Sequence, residues 1–156
     1  MPHVQYFWGF PDETTMDGIL QLHNSIFENA DELLEKASKR PKLLFVTVIE
    51  QDKVVGYKIG YELSADRYYS WYGGVREEYR GKGIATILME HQHRLVREAG
   101  YATIETKTRN KWRSMLILNL KHGFDITETF YDDDGIHRIT LVKGLIDKKG
   151  SEMSWI

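Results

Sequence analysis

The sequence predicts an α/β fold: a mixed, mostly antiparallel central sheet flanked by about four helices, with one βαβ unit at its centre. Three observations carry this. A strand, a glycine-rich turn, a helix and a second strand follow one another between Tyr68 and Thr106. Leu43–Ile49 and Val54–Glu62 alternate like strands and are joined by four polar residues, as an antiparallel hairpin would be. Phe124–Phe130 and Ile136–Val142 form a second such pair around Asp132-Asp-Asp-Gly135. Residues 1–146 read as a single domain, and 147–156 as a mostly polar tail that ends in Trp155 and Ile156.

In chain order, Val4–Phe10 reads as a strand that Pro11 ends. Asp12 or Thr14 can cap a helix running to about Phe27, with Met16, Ile19, Leu20, Ile26 and Phe27 as its apolar stripe. His23 lies on that stripe and reads as a satisfied, partly buried histidine. A second helix spans Ala30–Arg40, where Glu32 and Glu35 each precede a lysine by four residues. In the strand Val54–Glu62, Val55, Tyr57, Ile59 and Tyr61 share one face, and Gly56, Lys58, Gly60 and Glu62 the other. Two glycines on one face leave room for a helix or a ligand.

In the next strand Tyr69, Trp71 and Val75 alternate with Tyr68, Ser70 and Tyr72, and Gly73-Gly74 marks a bulge. The helix after the turn puts Ile84, Leu88, Leu95 and Ala99 on one stripe, with His91 on that face and His93 in solvent. Gly100 stops it. After the strand Ala102–Thr106, a helix from about Lys111 to His122 turns Trp112, Met115, Leu116, Asn119 and Leu120 inward. A buried Asn119 needs partners for its amide. The acidic turn at Asp132 lacks the ligand spacing of a calcium loop and reads as a turn.

Composition narrows the function. The 156 residues carry a net charge of −2, which makes no case for nucleic acid or an anionic membrane as partner. The absence of cysteine excludes disulfides, thiolate zinc sites and a cysteine nucleophile. No apolar run has the length of a membrane span, and the N-terminus lacks a signal-peptide pattern, so the expected location is cytoplasmic.

The turn itself points to a phosphate. Arg80-Gly-Lys-Gly83-Ile-Ala85 lets the main chain approach a ligand closely, aims a helix N-terminus at it, and adds two cationic side chains. It is not a P-loop, because Gly83 follows Lys82 where Ser or Thr is required. A dinucleotide fingerprint matches two of three glycines, with Glu105 near the ribose-binding distance. However, Arg76–Arg80 separates the turn from its strand, and no second βαβ half follows.

The stretch Gly74-Val-Arg-Glu-Glu-Tyr-Arg-Gly-Lys-Gly-Ile-Ala85 resembles the strand-to-helix junction of the GNAT superfamily of N-acyltransferases, with its Arg/Gln-x-x-Gly-x-Gly/Ala pattern. Gly123-Phe124 is similar to the Gly-Phe pair after the next helix, and Val54-Val-Gly56-Tyr57 to the third strand. The resemblance spans about Val4–Leu145. It implies acetyl-CoA as acyl donor, no metal, and direct acetyl transfer to a primary amine of a small molecule or peptide. It assigns Gly73, Gly74, Val75 and Arg76 to the pantetheine arm and thioester. Arg80, Gly81, Lys82, Gly83, Ile84, Ala85 and Thr86 fall to the pyrophosphate.

The sequence departs from that family at two places. The usual tyrosine acid, four residues before the Gly-Phe glycine, is Asn119, which can hydrogen-bond the cofactor but cannot donate a catalytic proton. The usual asparagine seven residues earlier falls on Trp112, and Asn110 stands in for it. Glu62, Tyr72 and Tyr131 are the candidates to deprotonate the amine, and a water relay or bulk base is the alternative. Acceptor specificity is expected from the first two helices, Glu28–Asp31 and the final hairpin, with the aromatic surface receiving an apolar or aromatic amine. Exposed sheet edges or the tail offer a homodimer contact. The competing reading is a non-catalytic CoA-binding module.

Overall fold

The computed structural model describes residues 2–146; the tail lies outside the described residues. Seven strands form one sheet in the order β1-β2-β3-β4-β5-β7-β6. They are β1 (His3–Trp8), β2 (Leu44–Glu50), β3 (Lys53–Glu62), β4 (Arg67–Val75), β5 (Thr103–Thr108), β6 (Asp125–Tyr131) and β7 (His137–Gly144). The helices are α1 (Glu13–Phe27), α2 (Ala30–Ala37), α3 (Ile84–Glu98) and α4 (Arg113–Lys121). Every neighbouring pair is antiparallel except β4–β5, the parallel pair of the βαβ unit. One such unit in an otherwise antiparallel sheet is not a dinucleotide-binding architecture. No described helix is long and apolar enough to cross a membrane.

Local chemistry sets the boundaries. Asp12 caps α1 by accepting a hydrogen bond from the Thr15 amide at 3.0 Å. Glu32 and Glu35, on the exposed side of α2, pair with Lys36 and with Lys39 just past the end of the helix. That helix ends at Ala37, before Pro41 is reached. Gln51 and Asp52 both take positive φ in the two-residue β2–β3 turn. Asp132 accepts backbone hydrogen bonds from Asp134 and Ile136 and a side-chain bond from Arg138, so its carboxylate builds the β6–β7 turn.

Each face of the sheet has its own core. Met16, Ile19 and Leu22 of α1 and Leu33 of α2 pack on Phe45, Tyr57 and Ile59. Leu88, Met89, Leu95 and Val96 of α3 pack on Val46, Val55, Tyr68 and Ile104, with Phe124 and Leu141. The glycine face of β3 admits α3. A Cβ at Gly56 would come within 2.8 Å of Ile84, and one at Gly60 within 3.2 Å of Gln92.

Two bulges correct the alternation read from sequence. The β2–β3 register shifts at Val48/Ile49, and Val55 turns to the α3 face, away from Tyr57, Ile59 and Tyr61. The β3–β4 register shifts at Ile59/Gly60, opposite Trp71 rather than at Gly73-Gly74. Trp71 and Tyr72 therefore both face α1, and Val75 packs on the α3 side. On α3, His93 is the buried histidine at 5% exposure and His91 the more open one. The helix is covered on a second side by Phe124 and Lys143, and His93 faces them. On α4, Leu120 is exposed, and Leu118 packs inward beside Met115 and Leu116.

Candidate active site

The parallel pair gives the sheet an opening. β4 and β5 pair only from Arg67–Ser70 against Thr103–Thr106. Beyond that, β5 continues on β7 to Thr108. β4 continues on β3, with Tyr72, Gly73, Gly74 and Val75 opposite Ile59, Lys58, Tyr57 and Gly56. From Trp71 onward the edge of β4 that faces β5 has no strand partner. Its peptide groups are therefore available to a ligand lying along it.

The glycine turn stands where β4 runs out. The Arg76 amide makes a last bond to Val55 O, at 2.7 Å. A single helical turn, Glu77–Tyr79, leads to Arg80, whose Nε donates back to Val75 O at 3.0 Å. Gly81 and Gly83 take φ of +77° and +83°, and a Cβ at either would meet nothing within 4 Å. Backbone conformation, not crowding, demands glycine here. Gly83 is the N-cap of α3, and the first helical bond is Ile87 N to Gly83 O. The amides of Ile84, Ala85 and Thr86 are left as donors at the positive end of the dipole. Lys82 stands over the Tyr79 ring at 5.2 Å, and the Arg76 Nε is buried without a protein partner. Open glycines, three converging amides and cationic side chains suit a pyrophosphate.

On the α1 face of the opening lies an aromatic cluster. His23 is fully buried, hydrogen-bonded through Nδ1 to the Tyr57 hydroxyl and through Nε2 to Asn29 Oδ1. Burial holds its pKa below the usual histidine value, with the Asn29 bond working the other way. Tyr72 packs edge-on to His23 at 4.8 Å and contacts Phe27 at 5.1 Å. Phe27 in turn meets Trp112 at 5.5 Å. The rings run from β4 to the segment after β5 and so span the opening.

The remaining sequence candidates are dispersed. Glu62 lies opposite Tyr68, at the closed end of the β4–β5 pair, where the Tyr101 hydroxyl donates to it at 2.7 Å. Tyr131 is 73% exposed near the β6–β7 turn, stacked on His137. Asn110 is exposed at the start of the turn before α4, and Asn119 is buried within α4. Sequence reasoning passed over Lys58. It sits opposite Gly73 on the α3 face, 7% exposed, and burial pulls its pKa down to about 8. Its only sequence signal was a lysine between two inward-facing glycines. Among the described residues no cluster of acidic and histidine side chains has the makings of a metal site.

Comparison with known proteins matches residues 10–124 to the acetyltransferase (GNAT) family. The chain belongs to the GNAT family. It is therefore an acyltransferase, and the matched residues include the interrupted β4–β5 pair and the glycine turn. A search of curated proteins found no match. Among solved structures, Ard1 from Thermoplasma volcanium superposes with a TM-score of 0.79 at 19% identity, covering 94% of this chain and 99% of that one. The ribosomal-protein-S18-alanine N-acetyltransferase from Escherichia coli gives 0.78 at 14%, covering 96% and 98%. An aminoglycoside 6′-N-acetyltransferase complexed with coenzyme A gives 0.79 at 15%, covering 94% and 98%. At these identities the structures share the GNAT fold.

Proposed function

We propose that this protein transfers the acetyl group of acetyl-CoA directly to a primary amine of a small molecule or peptide. The observation that carries the reading is the continuity of two features: the glycine turn at the N-terminus of α3, and the unpaired edge of β4 that leads away from it. The turn, from Arg80 to Thr86, would hold the pyrophosphate. Gly73, Gly74, Val75 and Arg76 would hold the pantetheine arm along β4, with backbone amides placed to stabilise charge on the thioester oxygen. Asn110 and Asn119 would contact the CoA from the β5 side. An acylated CoA supplies an activated acetyl group, because a thiol leaves with a pKa near ~8.5.

The amine enters from the α1 face. Tyr72, Phe27 and Trp112 surround that approach. They supply apolar contact and aromatic faces for an amine that must shed its proton and water before attack. An amine with a pKa near ~10.4 is mostly protonated at neutral pH. Glu62 is engaged by Tyr101 at the closed end of the pair, and this reading gives it no proton to take. Water or bulk base serves, and no single base is essential.

The test is CoA release from acetyl-CoA over a panel of primary amines: aminoglycosides, polyamines and peptides with free N-termini. With no cysteine in the chain, a thiol reagent reads released CoA against no protein background. Acceptor-dependent release supports the reading. Tight acetyl-CoA binding with no release on any amine would overturn it in favour of a non-catalytic CoA-binding module.

A further inference from the structure

Lys58 carries a charge that the fold does not neutralise. Its side chain leaves β3 on the α3 face and lies across β4 at Gly73. A Cβ at Gly73 would stand 3.3 Å from Lys58 Cγ and 3.5 Å from Nζ. The missing side chain of Gly73 is what gives the lysine its path over β4, at the strand position where the pairing with β5 has ended. Among the described residues no carboxylate pairs with it. Of the titratable groups of α3, His93 lies near it, and around that histidine stand Lys143 of β7, Arg97 of α3 and His122 at the end of α4. None of these four is an acid, and the acid of this neighbourhood, Glu90 of α3, lies beside Lys143. A buried ammonium with no counter-charge is unfavourable and is relieved when an anion arrives beside it.

We propose that Lys58 is the proton donor to the CoA sulfur, a role that rests on the acetyl-CoA reading above. Asn119 has no proton to give, and Lys58 fills that function from the other side of the opening. As the amine nitrogen bonds to the acetyl carbon, the C–S bond breaks and its electron pair goes to sulfur. Lys58 gives one ammonium proton to that sulfur and is left neutral. The new amide nitrogen loses its extra proton to water, and Lys58 is recharged from solvent. Burial brings the amine to about 8. A thiol titrates near ~8.5, so the transfer is close to balanced in energy.

The first experiment needs no acceptor. The thiolate absorbance of CoA bound to the protein is followed against pH in wild type and in Lys58→Met. A neighbouring ammonium stabilises the thiolate, so it forms about one pH unit earlier in wild type. The same variant is expected to lose ~100-fold in kcat, with acetyl-CoA affinity unchanged. The alkaline fall in kcat set by Lys58 is lost with it. Should Lys58→Met not fold, Lys58→Arg keeps the charge and serves to assign the Lys58 Nζ resonance. In wild type that resonance should titrate at higher pH with CoA bound and stay in place with desulfo-CoA. Identical thiol titration in both proteins, or a Lys58 resonance indifferent to the thiol, overturns the role of Lys58 while leaving the acetyl-CoA reading intact. Wild type that binds no CoA overturns both.

Discussion

Phe27 and Trp112 stand with ring centroids 5.5 Å apart, joining the end of α1 to the segment after β5 across the opening in the sheet. No backbone pairing links those two segments at this point. In the proposed reaction the contact governs the width of the acceptor side. Phe27→Ala should raise the KM of the acceptor tenfold or more and change the affinity for acetyl-CoA little. Steady-state kinetics with each substrate varied in turn reads the split. An equal loss of both affinities would place Phe27 in the general packing instead.

His93 makes stability depend on pH. Burial, then the charge of Lys143, lowers its pKa to about 2 in the folded protein, against about 6.5 for a histidine in an unfolded chain. The folded state thus stays neutral at His93 where the unfolded state takes up a proton. The associated stability is complete above pH ~7.5 and declines as pH falls through 6.5, by about 2 kcal/mol at pH 5. His23, also lowered by burial, acts in the same direction. Urea unfolding at pH 7.5 and 5 should show this loss, and His93→Gln should reduce it.

Two glycines of the sheet are predicted to differ in tolerance. A Cβ at Gly60 would meet the Tyr69 carbonyl oxygen at 2.7 Å and the Tyr68 ring at 2.5 Å, neither of which can yield easily. A Cβ at Gly74 would meet Ile26 Cδ1 at 2.4 Å, the free end of a flexible side chain. Gly60→Ala should cost about 2–3 kcal/mol and Gly74→Ala about 1 kcal/mol. Thermal unfolding of the two variants gives the order.

The parts of this fold that rest on local chemistry were legible in the sequence. Asp12 as a cap, the β2–β3 and β6–β7 turns, the glycine turn and the parallel pair all follow from residue types at short spacing. The parts that rest on long-range register were not. A bulge carries no residue signature of its own, so the faces of Val55 and Tyr72 emerged only with the strands paired. His91 and His93 exchanged roles because a helix covered on two sides buries more than one stripe, and the second cover, Phe124 and Lys143, comes from distant chain. Strand alternation alone puts Glu62 on the glycine face of β3. The sequence does not reveal that β4 and β5 are closed at its end of the strand and open at the end of Lys58.

We propose that the turn before α3 binds the pyrophosphate of acetyl-CoA. Gly83→Glu puts a carboxylate into the open space at that helix N-terminus. The positive φ of +83° adds about 1–2 kcal/mol of strain, which a domain of this size survives. Titration calorimetry with acetyl-CoA should give clear binding to wild type and at least ~100-fold weaker binding to folded Gly83→Glu. Equal affinity in the two proteins, or no binding to wild type, would contradict the account.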